Sequence, residues 1–278
     1  MGRFAAIQMT SSPDVAANLA AAADLLAEAH GRGADVALLP ENFAFMGRGD
    51  ADKRAVAERL DDGPIQAFLA AQAQRLGLWI LGGTLPLASG AADGRVTNTV
   101  LAYDAGGRRV GRYDKIHLFD VDLPDQRDRY RESAHVRPGS EIVVIDTPAG
   151  RVGASVCYDL RFPELYRRLA ARGAEVLVVP SAFTVPTGRA HWETLLRARA
   201  IENLCYVAAA AQSGVHPDVG PGGRETYGDS LIVDWWGRVV TRLPRGSGAV
   251  VADVDVAALR RARETFPALS HRVLDAPT

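Results

Sequence analysis

The sequence predicts an α/β protein (α+β in some schemes) in which a mixed sheet, or two sheets, is covered by helices. Three observations carry this. Strand-like and helix-like segments alternate along the 278 residues. Several strand segments are apolar at every position, as expected where both faces are buried. Hairpins interrupt the strand–helix–strand units, so the strands cannot all be parallel.

The elements follow in order. Arg3–Met9 reads as a strand, and Val15–His30 as a helix, alanine-rich with leucines at helical spacing and closed by Gly31. Val36–Leu39 is a short buried strand. Ala51–Leu60 and Ile65–Leu76 read as helices, the second stopped by Gly77. Trp79–Gly83 is a strand, with Gly82 and Gly83 as turn glycines. Val96–Tyr103 and Arg109–Asp114 form a hairpin over residues 104–107, and Glu141–Asp146 pairs with Val152–Val156 through residues 148–150. Pro163–Arg172 is a helix, Val176–Pro180 a strand, Arg189–Asn203 a helix and Tyr206–Ala211 a strand. Tyr227–Asp234 and Arg238–Leu243 make a late hairpin, Ala249–Val254 the last strand, and Asp255 to about Arg263 the last helix. Leu118–Pro138 and Gly214–Gly223 are long and irregular, which marks them as candidate active-site or interface loops. No linker divides the chain, so residues 1–278 are expected to form one domain.

Composition narrows the function. Hydrophobic residues make up 47% of the chain and the formal net charge is −1. That balance argues against a nucleic-acid or acidic-membrane partner. No apolar stretch has the length of a membrane span, and the N-terminus lacks the layout of a signal peptide. The two cysteines, Cys157 and Cys205, fit neither a disulfide framework nor a metal spacing. A soluble cytoplasmic protein is expected, and no zinc signature is present. Glycine-rich nucleotide fingerprints, a phosphate loop and a serine nucleophile elbow are all missing.

Three polar groups stand at strand ends. Cys157 closes the apolar run Val152–Val156, just before a helix that begins near Pro163. Backbone N–H groups and a helix N-terminus there would favour a thiolate. An isolated buried cysteine is more often inert, so the question is whether the chain supplies a base and an oxyanion donor. Glu41 follows a buried strand and Pro40; in an apolar pocket its pKa would rise toward neutrality. Alone it is as readily a surface carboxylate. Lys115 ends the Arg109–Asp114 strand and opens the longest loop; alone it is more often solvated. Together, a thiol, a carboxylate base and an ammonium for the oxyanion make an acyl-transfer set. Glu132 could orient the lysine. The competing base is His117, two residues from Lys115 on the same side of an extended segment. His191, just inside a helix start, reads as a packing or capping residue.

These residues lie in segments that carry a resemblance. Leu39-Pro-Glu41-Asn42, Tyr113-Asp-Lys115-Ile-His-Leu-Phe-Asp120 and Val156-Cys157-Tyr-Asp-Leu-Arg-Phe-Pro-Glu164 are similar to the nitrilase superfamily of carbon–nitrogen hydrolases. So are Pro180–Thr184, His191–Asn203 and Phe266–His271, and the likeness spans the chain. It is strongest toward the Nit branch, which includes deaminated-glutathione amidases and ω-amidases. The resemblance implies a four-layer α-β-β-α sandwich of two mixed sheets flanked by helices. It implies Glu41 as base, Lys115 as oxyanion donor, Cys157 as nucleophile and Glu132 in support, with the Tyr158 N–H as second oxyanion donor. It also implies chemistry without metal or organic cofactor, a homodimer or dimer-based assembly and a small-molecule amide substrate, deaminated glutathione first. An ω-amidase acting on α-ketoglutaramate, a nitrilase and a catalytically silent scaffold are the alternatives. Arg161, Phe183, Thr184 and Thr187 are the candidate substrate contacts, although Arg161 could pair with Asp159 or Glu164 and Phe183 could be core. One departure stands out. The branch usually carries Tyr-Gly-His-Ser where this chain has Tyr227-Gly-Asp229-Ser230.

Overall fold

A computed structural model describes residues 1–122, 129–219 and 223–274. Parts of the two irregular stretches, 123–128 and 220–222, lie outside the described residues.

The first half builds one mixed sheet. Its strands are β1 (Gly2–Gln8), β2 (Val36–Leu38), β3 (Trp79–Leu81), β4 (Leu85–Ala88), β5 (Val96–Tyr103) and β6 (Arg109–Asp114). Two helices serve it, α1 (Val15–Gly31) and α2 (Pro64–Leu76). A short ribbon, β7 (Asp120–Asp122) with β8 (Arg129–Arg131), follows. The second half supplies β9 (Val144–Thr147), β10 (Gly150–Ala154), α3 (Pro163–Ala171), β11 (Val176–Val178), α4 (Val185–Asn203) and β12 (Tyr206–Ala209). It continues with β13 (Ser213–His216), β14 (Arg224–Tyr227), β15 (Ser230–Val233), β16 (Val239–Leu243), β17 (Gly248–Val254) and α5 (Val256–Thr265).

The sheet orders are β17-β1-β2-β3-β5-β4, with β6 also on β5, and β16-β15-β12-β11-β10-β9. β1, β2 and β3 run parallel, as do β10, β11 and β12, while the outer pairings are antiparallel. Alternation along each strand explains the layering. Phe4 and Ala6 of β1 face Val152, Ala154, Val176 and Val178 across the inter-sheet core. Ala5 and Ile7 face the other way, onto Ala22 and Leu26 of α1. Leu165 and Leu169 of α3 and Leu196 and Ala200 of α4 cover the outside of the second sheet. The result is the four-layer α-β-β-α sandwich.

Three segments depart from the sequence reading. Ala51–Leu60 is not an α-helix: Asp50–Val56 forms a 3₁₀ segment and the chain then extends. The cause is Glu58. Its backbone pairs with Pro86 and Ala88, and its carboxylate accepts from the N–H groups of Ile65 and Gln66, capping α2. Neither set of bonds is compatible with continuing a helix. Second, α4 begins at Val185 rather than Arg189. Pro186 fits a first turn, and Gly188 leaves room for the Tyr227 ring, which a Cβ would meet at 2.1 Å. Third, β4, the β7–β8 ribbon and the β13–β14 hairpin are strands that the pattern did not mark. Proline hides β4, which lies at a sheet edge where a missing N–H is tolerated.

Candidate active site

Ligand sites in α/β sheets form beyond the carboxyl ends of parallel strands. Here the ends of both sheets converge. Glu41 follows β2, Lys115 follows β6, Cys157 follows β10, and Ala182 and Phe183 follow β11. They line one cavity with Asp50, Lys53, Phe119, Tyr130, Glu132, Tyr158, Arg161, Thr184, Thr187 and Arg224. It encloses about 510 Å³, its open mouth included, which suits a small-molecule ligand.

Lys115 is 2% exposed and is the centre of the floor. Its Nζ donates to Glu41 Oε1 at 3.1 Å and to Glu132 Oε2 at 2.8 Å. Burial alone would push the ammonium down, but Glu132 and Glu41 outweigh it and hold Lys115 well above the usual lysine value. Glu132 also accepts from the Phe119 N–H at 2.8 Å. Glu41 has a full set of partners: Lys115, the Asn98 side chain at 3.0 Å, and the Ala182 N–H at 3.0 Å on its second oxygen. Gln212 holds its carbonyl at 3.1 Å.

Two electrostatic expectations are corrected. Burial does push Glu41 up, yet the charges of Lys115 and Lys53 and the hydrogen bonds from Cys157 and Lys115 carry it below the usual carboxylate value. The pocket that was to raise it is not apolar; it holds two ammonium groups. Nor is Cys157 poised as a thiolate. Burial and the Glu41 charge push the thiol well up, and Lys115 and the Ala182 N–H only partly oppose them. Both directions leave the thiol protonated and the carboxylate ionised at neutral pH.

Cys157 sits in the left-handed region, at φ 48°, a conformation that costs a non-glycine residue energy and that packing must impose. Its N–H is held by the Pro180 carbonyl at 3.0 Å. A 3₁₀ turn, Cys157–Arg161, follows. Within it the Tyr158 N–H finds no acceptor among the described residues.

His117 takes no part in this cluster. Its Nδ1 faces Asp159 Oδ1 at 2.7 Å and its ring stacks on Phe162 at 3.7 Å. Asp159 also accepts from the N–H groups of His117 and Val156 and from the Tyr113 hydroxyl. This fully buried carboxylate thus ties the Lys115 loop to the Cys157 turn. His191 is exposed, and neither packs nor caps; its Nδ1 accepts from Arg161 at 3.2 Å. Arg161 pairs with neither Asp159 nor Glu164, and lies near the Tyr158 and Phe183 rings. Phe183 lines the cavity and also packs on Trp192 at 4.8 Å. The Thr184 and Thr187 hydroxyls bond each other at 2.8 Å. Asp229 lies away from the cavity, where it makes a bidentate pair with Arg242 and accepts from Trp192 through its carbonyl.

Several site residues escaped the sequence reading. Lys53, 6% exposed, pairs with Asp50 at 2.8 Å and reaches within 3.9 Å of Glu132. Asn98 bridges Glu41 and Glu132 from the middle of β5. Gly83, taken as a turn glycine, has φ 50°, and a Cβ there would lie 2.0 Å from the Pro40 carbonyl. It lets the chain that carries Glu41 pass behind the sheet edge. Among the described residues no group of His, Cys, Asp and Glu is arranged to hold a metal ion, and no helix is long and apolar enough to cross a membrane.

Residues 3–264 match the carbon-nitrogen hydrolase family. A deaminated glutathione amidase from Yersinia enterocolitica is 42% identical over 96% of this chain and 91% of its own length. The crystal structure of the Caenorhabditis elegans NitFhit protein superposes with a TM-score of 0.87 at 39% identity, covering all of this chain and 67% of that one. Saccharomyces cerevisiae Nit3, from branch 10 of the nitrilase superfamily, gives 0.86 at 28% identity over 98% and 97% of the two chains.

Proposed function

Because the chain belongs to the carbon–nitrogen hydrolase family, we propose that it cleaves amides of small carboxylic acids through a thioester on Cys157, with deaminated glutathione its first substrate. The protein is a hydrolase of carbon–nitrogen bonds other than peptide bonds, of the amidase kind. The observation that carries the mechanism is the buried Lys115 ammonium shared between Glu41 and Glu132, with the Cys157 thiol against Glu41.

In this reading Glu41 takes the thiol proton as sulfur attacks the amide carbon. A C–S bond forms, and the carbonyl oxygen becomes an oxyanion between Lys115 and the Tyr158 N–H. Each donor of this kind lowers a barrier by about 3 kcal/mol. The intermediate collapses, the C–N bond breaks, and Glu41 returns the proton to the departing nitrogen. Glu41 then activates water, which releases the acid and restores the thiol. Glu132 keeps Lys115 charged and aimed. Arg161, with no carboxylate partner among the described residues, faces the substrate's acyl-side carboxylate, and Phe183, Thr184 and Thr187 shape that wall. The substrate supports this reading through the relatives' names, and the cavity's arginines suit an anionic amide.

A homodimer, a cytoplasmic location and a single domain over 1–278 belong to the same proposal. The exposed apolar side chains Ile201, Trp236 and Phe266 support pairing, which sedimentation would measure. The substrate is tested by kcat/KM over deaminated glutathione, α-ketoglutaramate and the matching nitrile. Deaminated glutathione is expected to lead; a preference for the nitrile, or no hydrolysis of any, would refute the assignment.

A further inference from the structure

Lys53 is a second ammonium on the cavity floor, and nothing in the acyl-transfer mechanism uses it. It is buried in the 3₁₀ segment Asp50–Val56. Its Nζ pairs with Asp50 Oδ1 at 2.8 Å and stands 3.9 Å from Glu132 Oε1. The segment that carries it is tied on both sides. Asp52 accepts from the Arg48 N–H at 2.8 Å, and the Glu58 backbone is bonded to Pro86 and Ala88 beyond.

The two oxygens of Glu132 have different company. Oε2 accepts from Lys115 Nζ and from the Phe119 N–H, each at 2.8 Å. Oε1 has the Asn98 amide at 3.5 Å, at the limit of a hydrogen bond, and Lys53. A carboxylate held firmly through one oxygen can still turn about that contact. A charge facing the other oxygen stops it. Lys53 is that charge, and Asp50, which lines the same cavity, anchors it. Filling space does not require the pair, because apolar side chains of similar volume stabilise a buried position at least as well. A second ammonium on the carboxylate that already holds Lys115 also sets like charges near each other, which packing alone does not call for.

We propose that Lys53 is a positioning residue for the reaction, whose ammonium clamps Oε1 of Glu132 and so keeps Lys115 aimed at the carbonyl oxygen of the substrate. The inference rests on the amidase reading above. It has a second consequence, because the Lys53 charge also helps to hold Glu41 below the usual carboxylate value. The charged and titratable groups around Glu41 are Lys115 after β6, Lys53 from the 3₁₀ segment and Cys157 after β10, with Glu132 across the Asn98 amide and Asp50 beyond Lys53. The segment after β11 brings only the Ala182 N–H. Removing the Lys53 charge lets Glu41 rise, so its basic form is lost at a higher pH and the acid limb of kcat/KM moves up.

The test uses the full-length enzyme and whichever of deaminated glutathione and α-ketoglutaramate it hydrolyses faster. Lys53→Met is expected to lower kcat about tenfold or more, to change KM less than about threefold, and to move the acid limb up by about one pH unit. Lys53→Arg is expected to restore most of kcat and to return the limb. Asp50→Asn combined with Lys53→Met removes both charges, leaves no unpaired carboxylate, and covers a single variant that fails to fold. It is expected to repeat the loss in kcat and to move the limb in the same direction. A kcat within about twofold of the wild type in the folded variant, or a limb that stays in place, overturns the inference while the amidase reading stands. A wild type that hydrolyses neither amide overturns both.

Discussion

Cys157 and Cys205 are both buried, and burial pushes both thiols up, Cys205 to about 12. Their surroundings differ. Cys205 follows α4, donates to the Ala174 and Asn203 carbonyls, and accepts from Arg263 of α5. Arg263 also donates to the Ala174 and Leu204 carbonyls, so this neighbourhood helps to dock α5. Cys157 has a strained backbone, an open cavity in front of it, and Glu41 and Lys115 beside it. Burial silences a thiol; a fixed carboxylate facing a cavity is what separates these two.

The comparison can be broken from either side. The largest effect is expected from Cys157→Ala, a loss of about 10⁴-fold or more in amide hydrolysis with the fold retained. Turnover near that of the wild type would remove Cys157 from the mechanism. Glu41→Gln should cost about 10³-fold by removing the base, while His117→Ala should cost far less. Equal losses for the two would favour histidine as the base. Gly83→Ala is next. It forces a side chain into the Pro40 carbonyl at a left-handed position, and a loss of about 10-fold or more in kcat is expected from displacement of Glu41, measured alongside the melting temperature.

The pH profile sharpens the same contrast. Glu41 is held below its ordinary value of 4.5, so its basic form persists as pH falls and the acid limb of kcat/KM lies below about pH 4.5. The thiol is raised above 9.0, so the proton stays on sulfur through neutrality and the profile is flat from about pH 5 to 9. An inflection near 6.5 would point to histidine. The smallest effect belongs to Cys205→Ala: unchanged kcat/KM, and a stability loss of about 1–2 kcal/mol in denaturant unfolding.

Glu41, Lys115 and Cys157 were legible because each ends a strand, where a polar side chain has few structural reasons to be. Choosing carboxylate over histidine took the family resemblance. The supporting residues were not legible, because what defines them is long-range. Asn98 meets Glu41 across 57 positions of chain, and Asp159 meets His117 across 42. Lys53 lies inside Ala51–Leu60, which reads as a helix, and that segment is pulled straight by the pairing of Glu58 with the β4 edge. Gly83 was read as a turn because no one-dimensional signal reports a carbonyl 2.0 Å from its missing side chain. The fold was read correctly where apolar runs are long, and incompletely where strands contain proline or only three or four residues.

The most direct test is to mix the enzyme with deaminated glutathione, quench in acid within one turnover, and map the acyl group by peptide mass. The account predicts the acyl mass on the peptide holding Cys157 and none on the peptide holding Cys205. Hydrolysis proceeding with Cys157 unmodified and the acyl group on another side chain would contradict it.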